Sequence, residues 1–204
     1  MLHKKEPKMN PLERRMRRNE VLYREACGVF SGNPRVFRYY SPVAEMSIDV
    51  LTAENSPKAG LFSCATLGMM HHPVGQRIDG KPLRFELCGA CDAKYDTFLD
   101  LINTLSVRIM TSQEKCRNGA VIEDFVRAFI PQAKTWHILL IPFALWDKPF
   151  IGQSFDEMEV RWLTTVFITE KERQFMAQYG AEALVSLLAE NKEKLFDPTR
   201  ESLI

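Results

Sequence analysis

The stretch Leu83-Arg84-Phe85-Glu86-Leu87-Cys88-Gly89-Ala90-Cys91-Asp92, followed by Phe98, Leu101, Ile102, Leu105 and Ile109, changes hydrophobic period in mid-course. Leu83, Phe85 and Leu87 recur every second residue, the pattern of a strand with one buried face. From Asp92 the apolar positions fall three and four apart, the pattern of an amphipathic helix. A strand passing directly into a helix leaves one question for the fold class, namely whether βα units repeat.

They do not. Upstream, Val36 to Tyr40 is β-branched and aromatic, Met46, Ile48 and Val50 alternate with polar residues, and Leu61 to Leu67 is a third strand candidate. The loop from Gly68 to Pro82 carries the chain from this third strand into the fourth. Downstream, Asn118-Gly119 marks a turn and Val121 to Ile130 fits neither period. Trp136 to Ile141 is apolar apart from His137, as a central strand covered on both faces would be. Val160 to Ile168 is a long strand, and Thr169-Glu170-Lys171-Glu172 is a capping box that opens a helix ending near Gly180. A last helix carries Leu184, Val185, Leu187 and Leu188, with Leu195 beyond it. Strands grouped between helices predict an α+β fold, a single domain with a mixed, mostly antiparallel sheet flanked by helices.

At the N-terminus, residues 1–9 read as a flexible basic tail. Asn10-Pro11-Leu12-Glu13 then supplies an N-cap, Pro in the first turn and Glu at the third position. Leu12, Met16, Tyr23, Ala26 and Phe30 form the expected inner stripe of a helix spanning 10–32, stopped by Gly32-Asn33-Pro34. The α+β domain proper is expected over 33–204. The first 24 residues carry a net +5, although the chain of 204 residues as a whole is only +1. Such an arm can touch phosphates or an acidic partner, and association with nucleic acid through it is one alternative. No aromatic residue interleaves the cluster before Tyr23, as a single-strand reader would want, so a solvated helix face is the simpler reading.

Composition bounds the function class. The chain is 46% hydrophobic and 26% charged, ordinary for a globular protein. Its longest apolar run, Ile138 to Trp146, is interrupted by Pro142 and falls well short of the roughly 18 residues of a membrane span. The N-terminus lacks the apolar stretch of a signal peptide. Five irregularly spaced cysteines suit reduced thiols in the cytoplasm.

Cys88-Gly89-Ala90-Cys91 is the sharpest chemical motif. With His71 and His72 it suggests a zinc site, and its place before a helix suggests a thioredoxin-like dithiol. A hairpin of the strands at 61–67 and 83–88 would put the histidines at its loop end, about 15–20 Å from Cys88. Two small buried thiols are therefore the simpler reading. Ser63-Cys64 lacks the flanking glycines of a nucleophile elbow, and His137 on an apolar strand reads as a core histidine. Walker, dinucleotide-fingerprint and H-E-x-x-H motifs are missing. No catalytic residue, metal ligand or cofactor is predicted. Pro142 to Phe150, by contrast, places Phe143, Trp146 and Phe150 on a proline-bounded loop, and loop aromatics are common anchors for protein partners. The alternative is that Phe143 and Trp146 fold back as a lid on the core.

Four segments in order resemble the suppressor of fused domain family, its bacterial members especially. They are Ser63 to Gly68, Glu86 to Ala90, Trp136 to Trp146, and Phe167 to Glu172 continued by Tyr179 to Leu184. The resemblance covers about residues 45–198 and leaves the basic helix outside. It implies an α+β fold without catalytic chemistry and a protein partner, a toxin or other client neutralised by direct binding as an immunity or antitoxin-type protein does. The two-domain peptide grip of the animal members needs a second domain for which this chain is too short. Within this picture Phe143, Trp146 and Phe150 are expected as partner-binding anchors, with His71 and His72 as a rim.

Overall fold

The computed structural model describes residues 10–204, so the expected tail at 1–9 lies outside the described residues. The helices are α1 (Pro11–Val29), α2 (Phe98–Met110), α3 (Glu170–Tyr179) and α4 (Ala181–Glu190). The strands are β1 (Arg35–Ser41), β2 (Met46–Glu54), β3 (Leu61–Leu67), β4 (Arg77–Ile78), β5 (Lys81–Asp92), β6 (Ala120–Ile122), β7 (His137–Ile141), β8 (Gln153–Ser154) and β9 (Glu159–Ile168). They form one sheet in the order β1-β2-β3-β5-β9-β7-β6, with β4 beside β5 and β8 beside β9. Among the described residues only the β5–β9 pair is parallel. The fold is the predicted α+β domain with a mixed, mostly antiparallel sheet.

Two cores result, one per sheet face. Phe98, Leu101, Ile102, Leu105 and Ile109 of α2 pack against Leu87, Ile138, Leu140 and Phe167. On the other face, Leu22 and Ala26 of α1 and Leu184 and Leu188 of α4 cover Leu51, Ala65, Leu139, Val166 and Ile168. The stripe predicted for α2 is the buried one. Both capping boxes form, Asn10 with Glu13 and Thr169 with Glu172. β7 is covered on both faces as expected, but it lies next to the end of the sheet instead of at its centre.

Two expectations need correction. Leu12, Met16 and Tyr23 are 66%, 64% and 38% exposed; Ala26 and Phe30 are buried as expected, joined by Arg18 and Leu22. Arg18 takes an inner position because its guanidinium pairs with Glu157 at 3.1 Å and stacks over Phe155. The second correction concerns Cys88-Gly89-Ala90-Cys91, which lies wholly inside β5 and not between a strand and a helix; α2 begins only at Phe98. The glycine serves packing, since a Cβ on Gly89 would stand 2.3 Å from Thr165 Oγ1 and 3.1 Å from the Phe98 ring.

Candidate partner-binding surface

The loop after β7 is tied down before it reaches β8. Trp146 is 2% exposed, its indole N–H donates to Ser63 Oγ at 2.9 Å, and its ring lies 5.3 Å from Phe30 and 5.2 Å from Phe150. Phe150 in turn packs 4.5 Å from Trp162. The carboxylate of Glu25 on α1 accepts the backbone N–H of Ile151 at 2.7 Å and of Gly152 at 2.9 Å. Trp146 thus takes the lid position and not that of an exposed anchor, because a ring carrying one donor finds in the core both apolar cover and a hydroxyl acceptor. Phe143 and Phe150 are half-buried. With Pro142, Pro149 and Trp162 they line a cleft of about 250 Å³, forming its walls instead of protruding from it.

His71 and His72 follow β3, in and just after a short 3₁₀ turn (Met69–His71). Glu86 holds that turn in place: its buried carboxylate accepts N–H groups of Gly68 at 2.8 Å, Met69 at 3.2 Å and Met70 at 3.0 Å, and the Thr66 hydroxyl at 2.6 Å. Burial, opposed by these hydrogen bonds, leaves the Glu86 carboxyl pushed up to about 7. His71 Nε2 sits 2.8 Å from Asn19 Oδ1 of α1. Burial first, then the neighbouring guanidiniums of Arg15 and Arg18, lowers His71 to about 4; burial and Arg15 also lower His72. Both rings are therefore neutral near pH 7. Asn19 and Phe30 are separated by eleven residues of α1 and its cap, roughly 16 Å at ~1.5 Å per residue. His71 thus meets the middle of α1 and Trp146 the cap at its C-terminal end, so the histidines and Trp146 are set apart along the helix.

The cysteine chemistry dissolves on inspection of the strand. Cys88 belongs to the core beneath α1 and Cys91 to the core beneath α2, because residues three apart on a strand face opposite ways. Their sulfurs cannot converge on one metal or close a dithiol bond without breaking β5. Burial also pushes the Cys88 thiol up to about 12 and Cys91 further, the reverse of an activated thiolate. His137 is held structurally: its Nδ1 accepts the Asp124 N–H at 2.9 Å and its Nε2 lies 2.9 Å from Glu170. Among the described residues no group of three His, Cys, Asp or Glu side chains is arranged to hold a metal ion.

One exposed apolar region escaped the sequence reading. β1 is the terminal strand of the sheet, and Val36, Phe37 and Tyr40 on it are 47%, 51% and 59% exposed. Leu12 and Met16 of α1 line a groove along it together with Arg38. The aromatic and β-branched composition of 36–40 was visible; its position at an edge follows from pairings far along the chain.

The class is therefore an α+β domain with one mixed sheet between helical layers, with exposed apolar residues along one sheet edge. The chain belongs to the suppressor of fused family: residues 44–201 match the family profile described as Suppressor of fused protein (SUFU). It is similar to the immunity protein YqcF of Bacillus subtilis (strain 168), with 29% identity over 186 residues, covering 91% of this chain and 97% of the relative. Among solved structures, a SUFU homologue from Neisseria gonorrhoeae aligns with TM-score 0.61 at 16% identity, over 93% of this chain and 98% of the other. A chain of the Sufu–Fu complex aligns with TM-score 0.65 at 10% identity, over 91% and 92%. At such identities the structures support the fold alone. None of the described helices is long and apolar enough to cross a membrane.

Proposed function

We propose that this chain is a non-catalytic, cytoplasmic immunity protein that neutralises a toxin by binding it directly. The observation that carries the reading is the end-to-end correspondence with an immunity protein, 29% identical and matched over 97% of its length. The chemistry of the molecule is in keeping with it. The buried thiols are unreactive by environment, His137 Nδ1 is taken by a backbone N–H with Glu170 beside Nε2, and exposed apolar groups line a sheet edge and an adjoining helix. Surfaces of that kind, with rigid aromatic groups and a polar rim, suit protein partners. Five free cysteines are consistent with a reducing compartment.

The test is purification of the toxin captured by the tagged chain, titration calorimetry of the pair, and induction of the toxin in cells with and without the chain. A saturable 1:1 complex together with restored growth supports the reading. Growth arrest undiminished by the chain, or a captured protein that is not toxic, overturns it.

A further inference from the structure

The β1 edge carries more than exposed apolar side chains. The far end of the sheet closes on β6, three residues long, whereas β1 offers seven residues, free of proline, with no strand beyond it among the described residues. An edge of that length is normally shortened, bulged or covered, because its unpaired N–H and C=O groups template another strand. Here, instead, both faces beside the edge are grooved. The register pairs Arg38 with Asp49 and Tyr40 with Ser47, which sets Val36, Arg38 and Tyr40 on the face of α1. That face has a groove of about 430 Å³ lined by Leu12, Arg15, Met16 and Arg38. Arg35, Phe37 and Tyr39 point to the other face, where a groove of about 330 Å³ runs between Phe37, Phe62 and Leu99.

The two grooves differ in charge. In the first, Asp49 engages Arg38 at 2.7 Å, which leaves the exposed Arg15 as the remaining charge of its lining, and the field of Arg15 lowers both His71 and His72. The second is apolar at Phe37, Phe62 and Leu99, and Arg35 and Glu54 at its lining offset one another in charge. A strand laid along β1 would send alternate side chains into the two grooves. We propose that β1 is a docking edge for an extended segment of the protein partner, one whose alternate residues are acidic toward α1 and apolar toward α2. This rests on the protein-binding reading above and names the chemistry of the partner at one site. The aromatic cleft by Phe143 is not part of it.

The probe is a blocked, fluorescently labelled octapeptide alternating Glu and Val, compared with its Lys–Val counterpart, on the full chain at pH 7.5. The Glu–Val peptide should bind at least 10-fold more tightly than the Lys–Val peptide, and amide exchange should slow at residues 35–41. Arg15→Glu and Phe37→Ser, both at exposed positions, should each weaken binding at least 10-fold while the melting temperature stays put. Equal binding of the two peptides, no binding of either, or protection confined to other residues overturns the proposal. So does protection of 35–41 that grows with chain concentration when no peptide is present, which would make a second copy the occupant. A toxin complex that survives both substitutions unchanged would leave the immunity reading standing while this proposal falls.

Discussion

Trp146→Ala separates a core residue from an anchor. The side chain is 2% exposed, contacts two aromatic rings and donates to Ser63 Oγ at 2.9 Å. Truncating a buried tryptophan costs about 3–5 kcal/mol through lost transfer energy and the cavity left behind. Loss of the indole hydrogen bond adds about 1 kcal/mol. Ser63 still donates to the Ser56 carbonyl at 2.6 Å, so its hydroxyl is not orphaned and the upper end of the range is not expected. The working figure is about 4 kcal/mol, a large share of the roughly 5–15 kcal/mol that holds a domain folded. For a chain this size it corresponds to a fall in melting temperature of roughly 8–16 °C. Trp146→Phe keeps a ring in the Phe30–Phe150 cluster and should cost about 1–2 kcal/mol. Urea titration followed by far-ultraviolet circular dichroism measures both. A loss below about 1 kcal/mol for Trp146→Ala, with an unchanged slope on urea, would refute the assignment of this loop to the core and return Trp146 to the surface.

Three further outcomes are expected. Leu22→Ala should destabilise by about 2–5 kcal/mol, because α1 shares the core with β3 and β7, whereas Leu12→Ala should stay within about 0.5 kcal/mol; equal effects would contradict the observed face of α1. The raised Glu86 carboxyl binds its proton more tightly folded than unfolded, so its contribution is fully present below the unfolded value of 4.5 and is lost as pH rises through about 7. The stability of the wild type relative to Glu86→Gln should therefore fall by up to about 3 kcal/mol between pH 5 and 8, and a flat or rising difference would contradict the burial of that group. In thiol titration with an aromatic disulfide reagent, half-buried Cys27 should react first and Cys64, Cys88, Cys91 and Cys116 only on unfolding; rapid labelling of Cys88 or Cys91 in the native protein would reopen the thiol chemistry.

What could be read from the sequence was what is locally encoded. A capping box needs only four residues, and both were legible. The α2 stripe follows from one element facing one core, and the strands β2, β3 and β9 were legible from their apolar and β-branched runs. The inner face of α1 could not be read that way, since Arg18 is buried by Glu157 and Phe155 from the hairpin leading into β9. The Cys88–Cys91 segment reads in one dimension as the junction between a strand and a helix. It is strand because Phe98 packs down on the bare glycine, a contact that exists only once α2 lies across the sheet. Of the predicted surface, Phe143 and Phe150 retain partial exposure and Trp146 does not, a difference set by Ser63 on a strand the loop must reach across. The exposed edge of β1 was illegible for the complementary reason. An edge is defined by the strand that is not there, and no pattern within 35–41 encodes it.

The central claim is that the chain protects by binding. The most direct measurement is growth of cells induced for the captured toxin, with the chain co-expressed at rising levels and the affinity of the purified pair determined alongside. The account predicts that growth recovers when the chain reaches stoichiometric excess over the toxin, and that the two proteins form a saturable 1:1 complex. Recovery at amounts far below the toxin, as a turning-over enzyme would give, or no recovery despite tight binding, would contradict it.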